Sequence, residues 1–451
     1  MKTLAINSKL INKGRFRLDG GFYLNIHSFL SLYLEANEEH CVKLEEIADV
    51  MNPPVFKRQF CSIKGNAVEY FQSSDVSLAS NNSEVYIYRP QAEKIGAIVH
   101  EGNILVTGFG SIGNVRLVSK SQNNVCYANN VARIFPRGSV RSGFLYAFLM
   151  SKFGNAQLNK NASGSVVRYI EAPGIRKTLI PNLPETLQKK VDDLVQESTK
   201  LREDASDKLK DAQELILNEL RINISKRNFG KVSISSIIQS HNSRFEANFH
   251  ISEGADIERY LWSHYKCKPL GDLCTSISRP NIFKRYYVDH GITFLGGADI
   301  FLATPNSDKQ LSKKKTENIN DLLIEEGTIL LPRSGTIGNV AWAHAGHAQK
   351  LASEDVIRLK PNDILRGGYL FAFLSTSIGR SLIQKHIFGS VIQHVEPPHL
   401  NLIPIPILDD RIIAHAHENV ITYSKCMGEA IKKESQAIAL VEQEIESWNK
   451  K

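Results

Sequence analysis

Nowhere in the 451 residues does an apolar run reach the ~18 needed to cross a bilayer, and the N-terminal stretch MKTLAINSKLINKGRFRLDGG lacks the continuous apolar core of a secretion signal. The sequence therefore reads as a soluble, cytoplasmic protein with no membrane partner. Cysteine is also sparse. Cys41, Cys61, Cys126, Cys267, Cys274 and Cys426 form no C-x-x-C pair and no metal-ligand spacing, which argues against a zinc module or a disulfide scaffold and leaves reduced packing cysteines. The most local absence is of acid: residues 102–170 contain no Asp or Glu. Arg116, Lys120, Arg133, Arg137, Arg141, Lys152, Lys160 and Arg168 stand in that window, a pattern suited to phosphates. The overall charge of +8 is by itself compatible with an ordinary surface.

What the chain has is a repeat. Residues 102–183 align without a gap on residues 327–408, an offset of 225, with 27 identities in 82 positions; composition alone would give about five. GNILVTGFGSIGNV meets GTILLPRSGTIGNV, GFLYAFL meets GYLFAFL, and GSVVRYIEAP meets GSVIQHVEPP. Upstream, RLDGGFY at 17–23 meets RFEANFH at 244–250, and PVFKRQF at 54–60 meets NIFKRYY at 281–287. Each half mixes short β-branched runs (104–106, 328–331, 356–359) with helical stretches such as GFLYAFLMSKFGNAQL and GYLFAFLSTSIGRSLI. The expected fold class is α+β, a duplicated mixed α/β domain with helices between and after.

Those helices have their own pattern. After Pro184, Leu187, Val191, Leu194, Ser198, Leu201 and Ala205 recur at alternating spacings of four and three, a coiled-coil seam, in a segment free of Gly and Pro. After Pro406, Ile413, Ala416, Val420, Tyr423, Met427, Ala430, Ala437, Val441 and Trp448 form a similar seam. At 1.5 Å per residue the first helix is roughly 55 Å long. Either the two seams pair with each other, as a narrow stripe favours, or each packs on its own half. The polar stretch 222–243 connects the first helix to the second half.

GFGSIG at 108–113 fits the G-x-G-x-x-G template for a dinucleotide or S-adenosylmethionine, and Asn52-Pro53-Pro54 is similar to the N-P-P-aromatic motif of adenine-N6 methyltransferases. The repeat argues against both. The second copy has Arg333 for Gly108 while keeping Gly335, Gly338 and Asn339 within a shared G-(S/T)-I-G-N-V, so Gly108 reads as dispensable and Gly110 and Gly113 as turn residues. VRLVSKSQNNV follows as a strand rather than a helix, and no acidic residue comes 20 positions on to hold ribose. Val55 stands where the aromatic should, and the second copy reads Arg279-Pro280-Asn281-Ile282. No catalytic residue, cofactor or metal site is expected in this chain. His394, His399, His415 and His417 lack ligand order; the last two are two apart on a helix and face different ways.

The candidate DNA contacts come from charge and from divergence between the copies. Lys57-Arg58 and Lys284-Arg285 each follow a Phe, and the polar stretch around Lys313, Lys314 and Lys315 reads as a loop. Where the scaffold matches and the chemistry differs, Arg168 faces Gln393, Gly108 faces Arg333, and Arg116 faces Ala341. Arg suits guanine and Gln suits adenine in the major groove.

The ordered pieces together, including GITFLGGADI at 291–300, the G-(S/T)-I-G-N turns, the Ile-Pro exits and the long helices, resemble the specificity (S) subunit of type I restriction-modification systems. Gln188 fits the glutamine that the family carries early in each helix, whereas the second copy has Ile413. The resemblance implies a non-catalytic subunit with target recognition domains at 1–184 and 223–409 and spacer helices at 185–222 and 410–451. The domains would read a bipartite asymmetric site in double-stranded DNA, and the helices would pair antiparallel. It also implies docking of two methylation subunits, which bring S-adenosylmethionine, and of restriction subunits that use ATP and Mg. Two other readings stand beside it: a self-contained adenine-N6 DNA methyltransferase, which the purified chain would reveal by methylating DNA alone, and a coiled-coil adaptor that never touches DNA.

Overall fold

The computed structural model describes residues 8, 11, 25–62, 65–138, 140–162, 168–222, 230–240 and 244–448. The RLDGGFY stretch at 17–23, residues 163–167 of the GSV segment and residues 223–229 and 241–243 of the connection lie outside them. The chain divides into two units, Met1–Glu203 with Glu429–Lys451, and Asp204–Gly428.

The first unit holds helix α1 (Ile26–Ala36) and strands β1 (Cys41–Lys43), β2 (Ala48–Met51), β3 (Ala67–Phe71), β4 (Tyr86–Tyr88), β5 (Ile104–Thr107), β6 (Val115–Leu117), β7 (Cys126–Tyr127) and β8 (Val131–Pro136). Helices α2 (Ser142–Met150) and α3 (Lys152–Lys160), strand β9 (Leu179–Pro181) and the start of helix α4 (Glu185–Leu220) follow. An antiparallel sheet runs β2-β8-β5-β6, a smaller mixed sheet runs β4-β3-β7 with β3 and β7 parallel, and β1 pairs with β9. All four residues of β5 are buried, and alternation divides them. Ile104 and Val106 pack with Phe144, Phe148 and Phe153 of the helices, whereas Leu105 packs with Phe71, Tyr127 and Val131 under the smaller sheet. The apolar stretch 142–160 is two helices rather than one, because Ser151 leaves helical backbone and caps α3 by accepting from the Gly154 N–H at 3.2 Å.

The second unit holds α5 (Glu253–His264), β10 (Cys267–Pro269), β11 (Cys274–Ser278), β12 (Tyr287–Leu295), β13 (Gln310–Leu311), β14 (Ile329–Pro332), β15 (Ala341–Trp342), β16 (Leu351–Ala352) and β17 (Val356–Pro361). Then come α6 (Gly367–Leu374), α7 (Ser377–Lys385), β18 (Pro404–Pro406) and α8 (Asp410–Ser447). Its sheets run β11-β17-β14-β15 and β13-β12-β16, with β10 paired to β18. Ile329 and Leu331 pack with Tyr369 and Phe373 on one face of β14, and Leu330 packs with Leu295 and Val356 on the other.

The boundary between the units falls inside both long helices. In the first unit, Val191 and Val195 of α4 share a core with Ala437, Val441 and Ile445 of α8. Ser198 donates there to the Ala430 carbonyl at 2.8 Å. In the second unit, Ala212, Ile216 and Leu220 share a core with Ile413, Ala416 and Val420. Of the expected α8 seam, Ile413, Ala416, Val420, Met427, Ala430, Ala437 and Val441 are buried, whereas Tyr423 and Trp448 are half-buried. On α4 the buried positions include Val195, whereas Leu187, Leu194 and Leu201 are only half-buried. The seam also admits an acid, Glu434, which is buried and accepts from the Tyr146 hydroxyl at 2.6 Å and from Arg202 at 2.9 Å. Burial, with Glu434 alongside, pushes the Tyr146 hydroxyl well above its ordinary pKa.

Candidate nucleic-acid interface

In each unit, three chain segments meet at one end of the four-stranded sheet. In the first, residues 108–113 turn from β5 into antiparallel β6, so this loop joins two strands and does not lead into a helix. Gly110 and Gly113 have φ of +74° and +82°, and their counterparts Gly335 and Gly338 have +81° and +105°, a region that favours glycine. The expectation that Gly108 is dispensable fails. Its N–H donates to Asn130 and its carbonyl accepts from Ile170, and a Cβ would lie 2.4 Å from the Ile170 carbonyl oxygen. Asn52 completes the junction, accepting from the Ala172 N–H and donating to the Asn129 carbonyl. Beyond it, Phe109 and Tyr169 bridge and stack at 5.5 Å, both 37 % exposed, and the neighbouring Arg168 is exposed while donating to the Asn159 carbonyl.

In the second unit, Arg333 makes the corresponding backbone bonds, to Asp355 and from Val395. Its side chain is occupied. It donates to Glu396 at 2.8 Å and lies 3.5 Å from Asp355, and Arg279 donates to the same Glu396 at 2.9 Å. Burial alone would raise the Glu396 carboxyl; the two guanidiniums outweigh it and hold it below the usual carboxylate range. The hairpin 388–394 is closed by reciprocal backbone bonds between Phe388 and His394 and bridges to Ser334. Gln393 is exposed on that hairpin, at the rim of an open depression of about 580 Å³ that Glu246, Asn248, Gln384 and Gly389 also line.

The remaining candidates divide by environment. Lys57, Arg58, Lys284 and Arg285 are all exposed, beside half-buried Phe56 and Phe283 that pack into small satellite cores. Arg58 donates to the Tyr70 hydroxyl at 2.5 Å, and Arg285 pairs with Glu354 at 2.6 Å. Lys284 and Lys315, 31 positions apart in sequence, both lie over the Tyr286 ring, at 5.2 and 5.8 Å, which joins two of the sequence clusters into one. Lys313, Lys314 and Lys315 are exposed, and no carboxylate among the described residues pairs with them or with Lys284. Arg116 is half-buried in β6 and turned to the Leu78 carbonyl and to Asn81, so it braces a loop.

The acid-free run 102–170 is not a free cationic face. Arg137 pairs with Asp49, Arg141 with Glu185, Lys152 with Glu442 and Glu446, and Lys160 with Glu35. Arg133 is wholly buried, donating to the carbonyls of Ala97, Tyr127, Ala128 and Val131. Arg358 does the same with Leu322, Ala352, Ser353 and Val356, each 225 positions after its counterpart. Burial pulls both guanidiniums down to about 10, so they stay charged at neutral pH; carbonyl dipoles hold both, and the charges of Asp321 and Glu354 add to them at Arg358. Their periodicity in strands that the sequence reads as β-branched was the available signal, although a charged residue in such a run reads as surface.

Other reactive groups are packing residues. Burial pushes the thiols of Cys41 and Cys274 up to about 12 and those of Cys126 and Cys267 up to about 11. His417 accepts from the Gly368 N–H at 3.1 Å, and no cluster of three or more His, Cys, Asp or Glu among the described residues is placed to hold a metal. No described helix is long and apolar enough to cross a membrane.

Residues 263–426 match the family model of the type I restriction modification DNA specificity domain. The resemblance of the sequence to type I specificity subunits is borne out over that segment. Among solved structures, the chain is similar to the type I restriction-modification S subunit from M. genitalium, at 13 % identity and a TM-score of 0.35, over 90 % of this chain and 94 % of that one. It is similar to the HsdS subunit from Thermoanaerobacter tengcongensis at 16 % identity and a TM-score of 0.28, over 90 % and 95 %. The type IIG restriction endonuclease BpuSI is similar over 37 % of this chain and 28 % of its own, at 12 % identity and a TM-score of 0.30. No curated protein matches.

Proposed function

We propose that this chain is the non-catalytic subunit that gives a type I restriction-modification complex its DNA sequence specificity. The observation that carries the reading is the specificity-domain match over 263–426. A duplicated domain supports its extension to the first half. The same strand orders recur, and the Arg133 and Arg358 bonds repeat at a constant offset. Each unit is then a target recognition domain for one part of a bipartite, asymmetric site. The helices α4 and α8 form an antiparallel coiled coil that spaces them, a reading supported by the early part of one packing with the late part of the other. Methylation subunits dock on this scaffold and bring S-adenosylmethionine; restriction subunits bring ATP and Mg. This chain itself holds no cofactor and works in the cytoplasm.

Selection of random-sequence duplex by the full chain, copurified with a methylation subunit, tests the reading. The expected product is two conserved blocks separated by a fixed gap, with affinity falling steeply as salt rises. One block alone contradicts the bipartite reading, and no enriched sequence contradicts DNA reading altogether.

A further inference from the structure

Phe56 and Phe283 pack half-buried against satellite cores, and the residues on either side of each are exposed. The residue before each anchor is aliphatic and nearly free of the protein: Val55 is 87 % exposed and Ile282 is 82 % exposed. Single exposed aliphatics are ordinary on a surface. These two are not independent accidents. They occupy the same place, two residues after Pro53 and Pro280, in loops that otherwise differ as Pro54-Val55 and Asn281-Ile282. Each is followed by two exposed cations, Lys57 and Arg58 or Lys284 and Arg285. In the second unit, the exposed lysines Lys313, Lys314 and Lys315 lie in the chain segment that meets Tyr286.

We propose that Val55 and Ile282 are specificity residues that meet a thymine methyl group in the DNA groove, one in each block of the site, while the flanking lysines hold phosphates. The inference rests on the DNA-reading function above. A duplex favours this occupant over a protein surface, because each aliphatic precedes exposed cations of which Lys57, Arg58 and Lys284 have no carboxylate partner among the described residues, Arg285 alone pairing with Glu354, and thymine offers the one methyl group on a base edge. Covering one methyl is worth about fourfold in affinity, from ~0.8 kcal/mol per buried carbon.

The test uses the full chain and the duplex that it selects, with each thymine replaced in turn by uracil. One uracil in each block should weaken the wild-type chain about fourfold. Ile282→Ala should bind the thymine duplex about fourfold more weakly and be indifferent to uracil at one block, and Val55→Ala should do the same at the other. Variants that keep the full uracil penalty at every position, or a selected block without thymine, overturn the proposal and leave DNA reading intact. Ile282→Ser that binds DNA normally but no longer copurifies with the methylation subunit assigns the loop to a protein interface and overturns it as well. A wild-type chain that selects no sequence removes the function on which the inference rests.

Discussion

In the first unit, Gly108 passes so close to Ile170 that no side chain fits, and Asn52 joins the converging segments with neutral amide bonds. In the second unit, Arg333 stands at the matching position with the same backbone bonds, and Arg279, Glu396 and Asp355 make the junction ionic. Below these rims, Arg133 and Arg358 hold the sheet to the neighbouring loops through equivalent sets of carbonyls. The difference shows how two halves can keep one scaffold and present unlike surfaces. The buried pins are chemically fixed because four carbonyls need one donor-rich group, whereas the rim tolerates either solution once its polar atoms are satisfied.

The largest effect should come from the shared pin. Arg133→Met or Arg358→Met strips donors from four buried carbonyls, and each should cost its own unit about 4 kcal/mol. Calorimetry or urea unfolding of the full chain would show a loss confined to one transition; a loss below about 1 kcal/mol would break the equivalence. At the rim, Gly108→Ala should cost about 3 kcal/mol through its clash with Ile170. The reverse kind of change, Arg333→Ala, removes a partly exposed pair and should cost only about 1 kcal/mol. Equal losses would contradict the asymmetry.

Acid should separate the units too. His347 is buried, donates to the Ile300 carbonyl at 2.9 Å and is pushed by burial down to about 4, whereas the aligned position in the first half is Gln122, which does not titrate. Between pH 6.5 and 4 the unfolded imidazole binds the proton that the folded one refuses. The stability due to His347 is therefore complete above about pH 6.5 and is lost as pH falls toward 4, by about 3 kcal/mol. Unfolding followed against pH should show this loss in the second unit, and His347→Gln should flatten it.

Much of the architecture was legible in the sequence because its signals are local. Strands at 104–107, 329–332 and 356–361 follow from β-branched runs, and the α8 seam follows from its spacing. The turn at 108–113 was legible from the repeat. The cations were not. Asp49, Glu185, Glu35, Glu442 and Glu446 come from elsewhere in the chain to neutralise the acid-free run, and no local pattern foretells those pairings. Gly108 was misread for a related reason: its close approach to Ile170 is set by residues 62 positions away. The candidates left most available for DNA are Arg168, Gln393, Lys57, Lys284 and Lys313 to Lys315, all exposed.

Mapping of methylated adenine in the DNA of cells that express this chain with a methylation subunit tests the central claim most directly, for the wild type beside Arg168→Ala and Gln393→Ala. The wild type should give a split motif, Arg168→Ala should relax one block only, and Gln393→Ala should relax the other. An unsplit motif, or variants that weaken methylation uniformly without changing either block, would contradict a chain whose two units each read their own part of the site.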